Sequence, residues 1–472
     1  MSLLLKIAGE IGTKSPRTRR RFLRVLTANV RAALAQAGLQ GEVSPRWSRL
    51  LVQTPDPSRA REALRTVFGL HSISEVAVLR YRDLGDLVEQ AADLYRDRVA
   101  GKTFAVRPRR AGEVGFSSRD VAVKLGDALL GVSAGVNLDE PQVEVPIEVV
   151  RHKAYAILES TPGARGLPLG SGNRAVALFS GGFDSPAAAW MVMRRGTALD
   201  LVVCDLDGCG GPRVAMEVAR LLTDRWAAGL PVRAHLVDLA PVVAALRSRV
   251  DSRLRQVLLK RAMYRVGTLI TREVEAEAMV TGEVIGQVST QTLRNLAVAE
   301  EAAGVPVLRP LIGMDKEDII ALTRRLGTHD ASARVREHCA ISEGRVETGA
   351  RLDEVLTAEG EVEEAFIAAA VAGRQVVDVA TWSPGPRPAH VVDAVPPGAV
   401  VVDVRELDEG PDIGDLRLPF SRADEWAETL DPTTPYAFHC TYGIRSELVA
   451  RELAERGYLT VALAGGTASL AA

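Results

Sequence analysis

The chain is poor in cysteine, in aromatic residues and in net charge. Its 472 residues include four cysteines, aromatic residues make up 4%, and 58 Lys+Arg nearly balance 60 Asp+Glu, leaving a formal net charge of −2. Four cysteines (Cys204, Cys209, Cys339, Cys440) in so long a chain exclude the disulfide framework of a small secreted domain, so a special cysteine here is more readily reactive than structural. Cys204 and Cys209, in CDLDGCGG, lack a partner pair at zinc-binding spacing. No stretch reaches the ~18 apolar residues of a membrane span, and MSLLLKIAGE is too brief an apolar run for a signal peptide. A cytoplasmic, membrane-free protein is therefore expected. What the chain does have is 47% hydrophobic and 25% charged residues. That composition supplies packed cores throughout and excludes a wholly disordered chain, and the length suggests about three domains.

The near-zero net charge is a cancellation. Residues 1–110 hold 21 Lys+Arg against 10 Asp+Glu, a net of +11, and the remaining residues carry −13. Such asymmetry marks a basic binding surface attached to something else. The basic end reads as α+β. A strand over 3–8 precedes a helix from about Ser15 to Gln36, on which Phe22, Leu26, Val30 and Leu34 recur every four residues while Arg17, Arg21, Arg24 and Arg31 lie away from that stripe. A second strand–helix pattern covers about 43–97. KTFAVRPRR (102–110) reads as a strand ending in Arg107, Arg109 and Arg110, and 141–159 alternates as strands do.

GARGLPLGSGNR (163–174) is a Gly/Pro-rich linker. After it, apolar runs at 175–179, 199–206, 232–239, 276–283 and 305–311 alternate with amphipathic helices, which predicts a doubly wound parallel sheet covered on both faces. A helical, acidic stretch follows at about 349–371. SPGPRP (383–388) marks another linker, before a small α/β module with strands at 399–406, 436–440 and 460–466 and a helix from about Arg445 to Arg456.

Two loops carry chemistry. SGGFDSP (180–186) joins a strand to a helix. Gly181 and Gly182 allow close backbone approach, and Ser180, Asp184 and Ser185 place hydroxyl and carboxylate groups where a helix N-terminus can hold an anion. It is neither a Walker A loop nor G-x-G-x-x-G. S-G-G-x-D-S after a strand resembles the PP-loop of ATP pyrophosphatases, which adenylate an oxygen and release pyrophosphate. TGEVIGQVSTQTLRN (281–295) follows another strand with amides and hydroxyls suited to a base and ribose, and Lys260 lies on a helix from which it can reach a phosphate. The second loop is HCTYGIRS (439–446). It sets Cys440 at a strand end, where the following helix dipole and Arg445 favour a thiolate. C-x-x-G-x-R-S resembles the rhodanese persulfide loop. The Cys-to-Arg spacing is one residue short of the H-C-x5-R loop of tyrosine phosphatases. DVRE (403–406) upstream is also a frequent rhodanese feature.

The order of these modules, with AGEIGTKSPRTRRRF (8–22), GKTFAVRPRRAG (101–112), LRPLIGMDKEDII (308–320) and REHC (336–339), resembles the tRNA 4-thiouridine synthetase family (ThiI) over the whole chain. The resemblance implies an α/β multidomain fold. It places a ferredoxin-like domain over 1–56, a THUMP RNA-binding domain over 57–162, a PP-loop adenylation domain with a helical extension over 163–382 and a rhodanese-like domain over 389–472. It implies ATP binding through Leu178, Phe179, Ser180, Gly181, Gly182, Asp184, Ser185, Lys260, Gly282 and Gln291. It also implies Mg²⁺ accompanying ATP, no resident metal, zinc or PLP, and adenylation of the C4 oxygen of uridine 8 in tRNA. Sulfur would come from a persulfide on Cys440, in a loop with Gly443, Arg445 and Ser446, and Cys339 would form the disulfide that closes the cycle. The tRNA would be held by Arg17, Arg20, Arg21, Arg24, Arg107, Arg109 and Arg110. The implied partners are tRNA, a cysteine desulfurase as sulfur donor and the sulfur-carrier protein of thiamine synthesis, with homodimer formation left open. A PP-loop enzyme that delivers an amine or ammonia to RNA is the alternative reading of the same adenylating loop.

Overall fold

The computed structural model describes every residue except 1, 47–48, 113, 207–210, 336–345, 361–363, 384–389, 408, 410, 442–443, 465 and 468–472. Cys209, Cys339 and Gly443 lie outside the described residues. The chain divides into two compact units, one comprising Met1–Asp205 with Val214–Thr381 and the other Leu206–Arg213 with Trp382–Ala472.

The first unit opens on an eight-stranded sheet. Its strands are β1 (Ser2–Ile7), β2 (Glu42–Arg46), β3 (Arg49–Gln53), β4 (Leu70–Arg80), β5 (Thr103–Ala111), β6 (Gly135–Val136), β7 (Val143–Val150) and β8 (Lys153–Pro162), ordered β2-β3-β1-β4-β8-β7-β5-β6. β4 pairs antiparallel with β1 on one side and β8 on the other, so one strand joins the two halves of the basic region. The helix Pro16–Gln36 starts at Ser15, whose hydroxyl accepts from the Thr18 amide, with Pro16 in the first turn where its missing N–H costs nothing. Phe22, Leu26, Val30 and Leu34 are all buried against the sheet with Leu3, Leu5, Leu50 and Ile73. Each such side chain contributes about 1.5–3 kcal/mol. Arg17, Arg20, Arg21 and Arg24 face outward, as the four-residue period requires. A second core, under the helices Leu84–Val99 and Ser118–Leu130, gathers Tyr95, Phe104, Leu125 and Ile147.

The rest of the unit is built on a six-stranded sheet of β9 (Arg174–Leu178), β10 (Ala198–Asp205), β11 (Arg233–Asp238), β12 (Ala278–Val280), β13 (Val307–Leu308) and β14 (Gln375–Asp378), ordered β13-β12-β9-β10-β11-β14. All pairings are parallel except β11 with β14. The expected parallel sheet is present. β14 is an addition to the expected strands, and the runs at 276–283 and 305–311 pair for only three and two residues, because their carboxyl ends leave the sheet as loops. Connections from β9 run one way to β10 and β11, while β12 and β13 lie on the other side. The turn after β9 therefore sits at the point where strand order reverses, the usual ligand crevice of such sheets. The acidic stretch forms the helices Leu352–Glu359 and Glu364–Ala372. Glu359 reaches the fully buried Arg261, which also bonds Glu301.

The second unit carries a parallel sheet of β15 (Val391–Val392), β16 (Val400–Asp403), β17 (Leu416–Arg417), β18 (Tyr436–His439) and β19 (Thr460–Leu463), ordered β15-β19-β18-β16-β17. Val402, Phe438, Cys440, Ala450 and Leu453 share its core. The strand expected over 399–406 pairs only through 400–403.

Candidate adenylation site and cysteine loop

Between β9 and the helix Asp184–Met193 the chain must turn sharply, and Gly181 does so with φ +80°. A Cβ there would lie 2.6 Å from the Ala215 Cα. Only glycine fits both the left-handed backbone and the close approach. Gly181 N–H donates to the Ser185 hydroxyl at 3.0 Å, and Gly182 N–H to the Ser180 hydroxyl at 3.4 Å. The loop thus holds its own shape through two serines, while the first amides of the helix have no intrahelical partner and a helix dipole behind them. Phe179 is buried, and its amide donates to the Val202 carbonyl at 2.8 Å, which leaves that residue to anchor the loop. Leu178 is half-buried at the strand end.

Gly282 closes the other side. A Cβ on it would lie 2.8 Å from the Asp184 carbonyl carbon, so the turn after β12 packs directly on the start of the helix. The Asp184 carboxylate accepts from Gln287 Nε2 at 2.8 Å and from Lys316 Nζ at 2.9 and 3.1 Å. The Lys316 ammonium also lies 5.7 Å from the centre of the Phe183 ring. Lys316 is a site residue that the sequence reading misses. It is 132 residues from Asp184, and nothing in DKEDII marks it from a solvated lysine.

Glu283, next to Gly282, is a buried carboxylate surrounded by donors. It meets Lys260 Nζ at 3.3 Å, the Tyr264 hydroxyl at 2.5 Å, the Thr281 hydroxyl at 2.9 Å and Arg309 Nε at 2.8 Å. Burial raises its pKa, but the Lys260 ammonium and then the Tyr264 and Arg309 bonds outweigh burial and pull it down to about 2. Lys260 is therefore held in place by a fixed anion. Gln291 is buried, and its side-chain oxygen accepts from the Val284 amide at 3.1 Å, so it staples the 284–291 loop.

In the second unit Cys440 follows β18 and precedes the helix Ile444–Glu455. Its thiol is buried, and the Ser446 hydroxyl lies 3.7 Å from Sγ. The Cys440 carbonyl accepts from the Thr467 amide at 2.8 Å. Arg445 does not stand as a free cation beside the sulfur. Its guanidinium is ion-paired with Glu409, and with Glu406 at 3.6 Å. Asp403 and Arg405, from DVRE, form a buried ion pair. Cys204 is no rival nucleophile, since burial pushes its thiol up to about 12.

Three family patterns match the chain in order. They are the ThiI ferredoxin-like domain over 2–74, the THUMP domain over 81–159 and the thiamine biosynthesis protein ThiI over 170–363. A tRNA sulfurtransferase of Desulfurococcus amylolyticus is 38% identical over 98% of this chain and 97% of its own length. A second, of Pyrobaculum aerophilum, is 35% identical over 97% and 95%. The chain belongs to the tRNA sulfurtransferase family. A solved 4-thiouridine synthetase in complex with RNA and bound ATP matches this family member with a TM-score of 0.72 and 25% identity, over 80% of this chain and 99% of that one. The expected α/β multidomain class, with its ferredoxin-like, THUMP and PP-loop parts, agrees with these matches.

The arginines expected to face RNA divide into two groups. Arg17, Arg20, Arg21 and Arg24 are exposed along one helix, with Arg21 Nη2 donating to the Ser171 carbonyl at 2.9 Å. On the THUMP strand, Arg109 is exposed. Arg107 is tied to Glu144 and the Leu138 carbonyl, and Arg110 to the carbonyls of Val114 and Phe116. No helix among the described residues is long and apolar enough to cross a membrane.

Proposed function

We propose that this chain is an ATP-dependent tRNA uridine 4-sulfurtransferase. The observation that carries the reading is the turn at 180–185. Gly181 and Gly282 let backbone pack against Ala215 and Asp184 where a Cβ would collide, the first amides of the following helix have no intrahelical partner, and Lys316 on Asp184 and Lys260 on Glu283 can meet phosphate charge. Magnesium would come with the nucleotide, with Asp184 as the carboxylate of this loop able to hold it, and bound there it would neutralise phosphate charge.

In the first half-reaction the C4 oxygen of uridine 8 attacks the α-phosphorus of ATP and pyrophosphate leaves. A poor leaving group has then become AMP. In the second, the terminal sulfur of a Cys440 persulfide attacks C4 and AMP departs, leaving Cys440 joined to the base through two sulfurs. The Cys339 thiolate then attacks Cys440 Sγ, so that 4-thiouridine leaves as its thiolate and a Cys339–Cys440 disulfide remains. A two-electron thiol reductant resets the pair, and a cysteine desulfurase reloads Cys440. Exposed arginines on the helix Pro16–Gln36 supply phosphate contacts that fix register without reading sequence. The same persulfide would serve the thiazole sulfur of thiamine through a sulfur-carrier protein.

Incubating unmodified tRNA with the protein, ATP, Mg²⁺, cysteine and a desulfurase should give 4-thiouridine on nucleoside mass spectrometry. A product that gained nitrogen instead of sulfur would favour the amine-transferring reading, and an unchanged tRNA would overturn the proposal.

A further inference from the structure

Away from the nucleotide loop, arginines converge where carboxylates are scarce. The helix Asp184–Met193 starts at the loop and ends at Arg194. The helix Lys316–Leu326 likewise starts beside Asp184, through Lys316, and ends near Arg325. Ten residues at 1.5 Å rise put the far ends roughly 15 Å from the loop. There the Arg194 guanidinium lies 5.2 Å and that of Arg325 4.9 Å from the Trp190 ring centre. Trp190 packs edge-on against Trp226, whose own ring lies 5.9 Å from the Arg225 guanidinium. Phe68, from the ferredoxin-like part, completes the aromatic floor. Arg165, exposed on the connecting segment with φ +59°, is close enough to add to the field at Arg194.

Arginines at helix C-termini complement the dipole, and that alone would account for one or two of them. It does not account for stacking two guanidinium groups on one indole. Arg194 is destabilised as a cation first by burial and then by Arg325, Arg165 and Arg195. The carboxylate it feels is Glu10, which is already bonded to Arg195 at 2.7 and 3.0 Å. No carboxylate is bonded to Arg165, Arg194, Arg225 or Arg325 among the described residues. Cations held by aromatic faces and left unneutralised call for an external polyanion.

We propose that Arg165, Arg194, Arg225 and Arg325 form a second phosphate-binding surface, on the nucleotide domain, that receives the tRNA backbone. It continues the first one. Arg21 of the basic helix donates to Ser171, and Glu10 just before that helix bonds Arg195, so the two rows of guanidinium groups belong to one packed region. A backbone held along both rows meets the region that carries the adenylating loop at two separate places. The inference rests on the tRNA reading above.

Full-length protein and an unmodified tRNA transcript, titrated between about 50 and about 200 mM salt, provide the test. Removing one arginine–phosphate pairing lowers the slope of log affinity against log salt by about 1. R165Q/R325Q should reduce the slope by about 2 and weaken binding about tenfold at low salt. R165K/R325K, which keeps charge but loses stacking, should restore most of the slope, and a single exposed R165Q should lose about half as much as the pair. Wild-type affinity and slope in R165Q/R325Q, with R20Q/R24Q weakened, would overturn the second surface and leave the first. Weakened binding of the protein sulfur donor with unchanged tRNA binding would also overturn it. Failure of the wild type to bind tRNA would instead sink the tRNA reading itself.

Discussion

The chain uses the same device twice, a parallel strand running through a short loop into a helix, and the two copies differ in what surrounds them. At 180–185 two lysines are fixed around the loop. Gly181 and Gly282 let backbones pack closely, Asp184 is held by Lys316, and Lys260 is held by Glu283. At 440–446 the functional atom is enclosed. The Cys440 thiol is buried, and the one cation of its motif, Arg445, is ion-paired with two glutamates. The neighbours set the contrast, paired lysines beside one loop and a buried thiol with a neutralised arginine at the other.

The contrast can be broken most severely at Cys440. C440S should abolish 4-thiouridine formation with a desulfurase donor, measured by nucleoside mass spectrometry, and full thiolation by that variant would remove the cysteine from the pathway. At the other loop, D184N and K316Q should each slow uridine adenylation by about 10²–10³-fold, read as pyrophosphate released per tRNA. Because the two groups bond each other, the double variant should lose little more than either single one.

Glu283 gives a pH test. Its carboxyl is held at about 2 against an ordinary 4.5, so its ionisation adds stability above pH 4.5, and this is lost as pH falls through about 2. Between those limits the wild type should lose about 3 kcal/mol more than E283Q in denaturant unfolding. An equal loss in both would show that Glu283 carries no such linkage. G181A should cost roughly 1–3 kcal/mol of stability and most of the ATP affinity, since a left-handed alanine also collides with Ala215. The smallest effect is expected at Glu409. E409Q frees part of the Arg445 charge and should speed alkylation of Cys440 a few-fold, about 1 kcal/mol or less.

Local periodicity makes much of this legible. The stripe Phe22, Leu26, Val30, Leu34 can be read because a helix returns to one face every 3.6 residues, and SGGFDSP because glycine, serine and aspartate have few other reasons to follow an apolar strand. What escapes is set by distance in sequence. Lys316 acquires meaning only when the fold brings it to Asp184, and Glu283 only when Lys260, Tyr264 and Arg309 surround it. β14 is four residues long and half polar, and it pairs antiparallel at an edge, so it carries no alternating signal. The motif alone presents Arg445 as a free cation, because the glutamates that neutralise it, Glu409 and Glu406, come from a distant loop of the chain.

The central claim is that the loop at 180–185 makes uridine's own C4 oxygen the leaving group. A tRNA carrying ¹⁸O at C4 of uridine 8, treated with the protein, ATP and sulfur donor, tests this directly. The account predicts ¹⁸O in the released AMP, one atom for each 4-thiouridine formed. Recovery of 4-thiouridine with unlabelled AMP would contradict it.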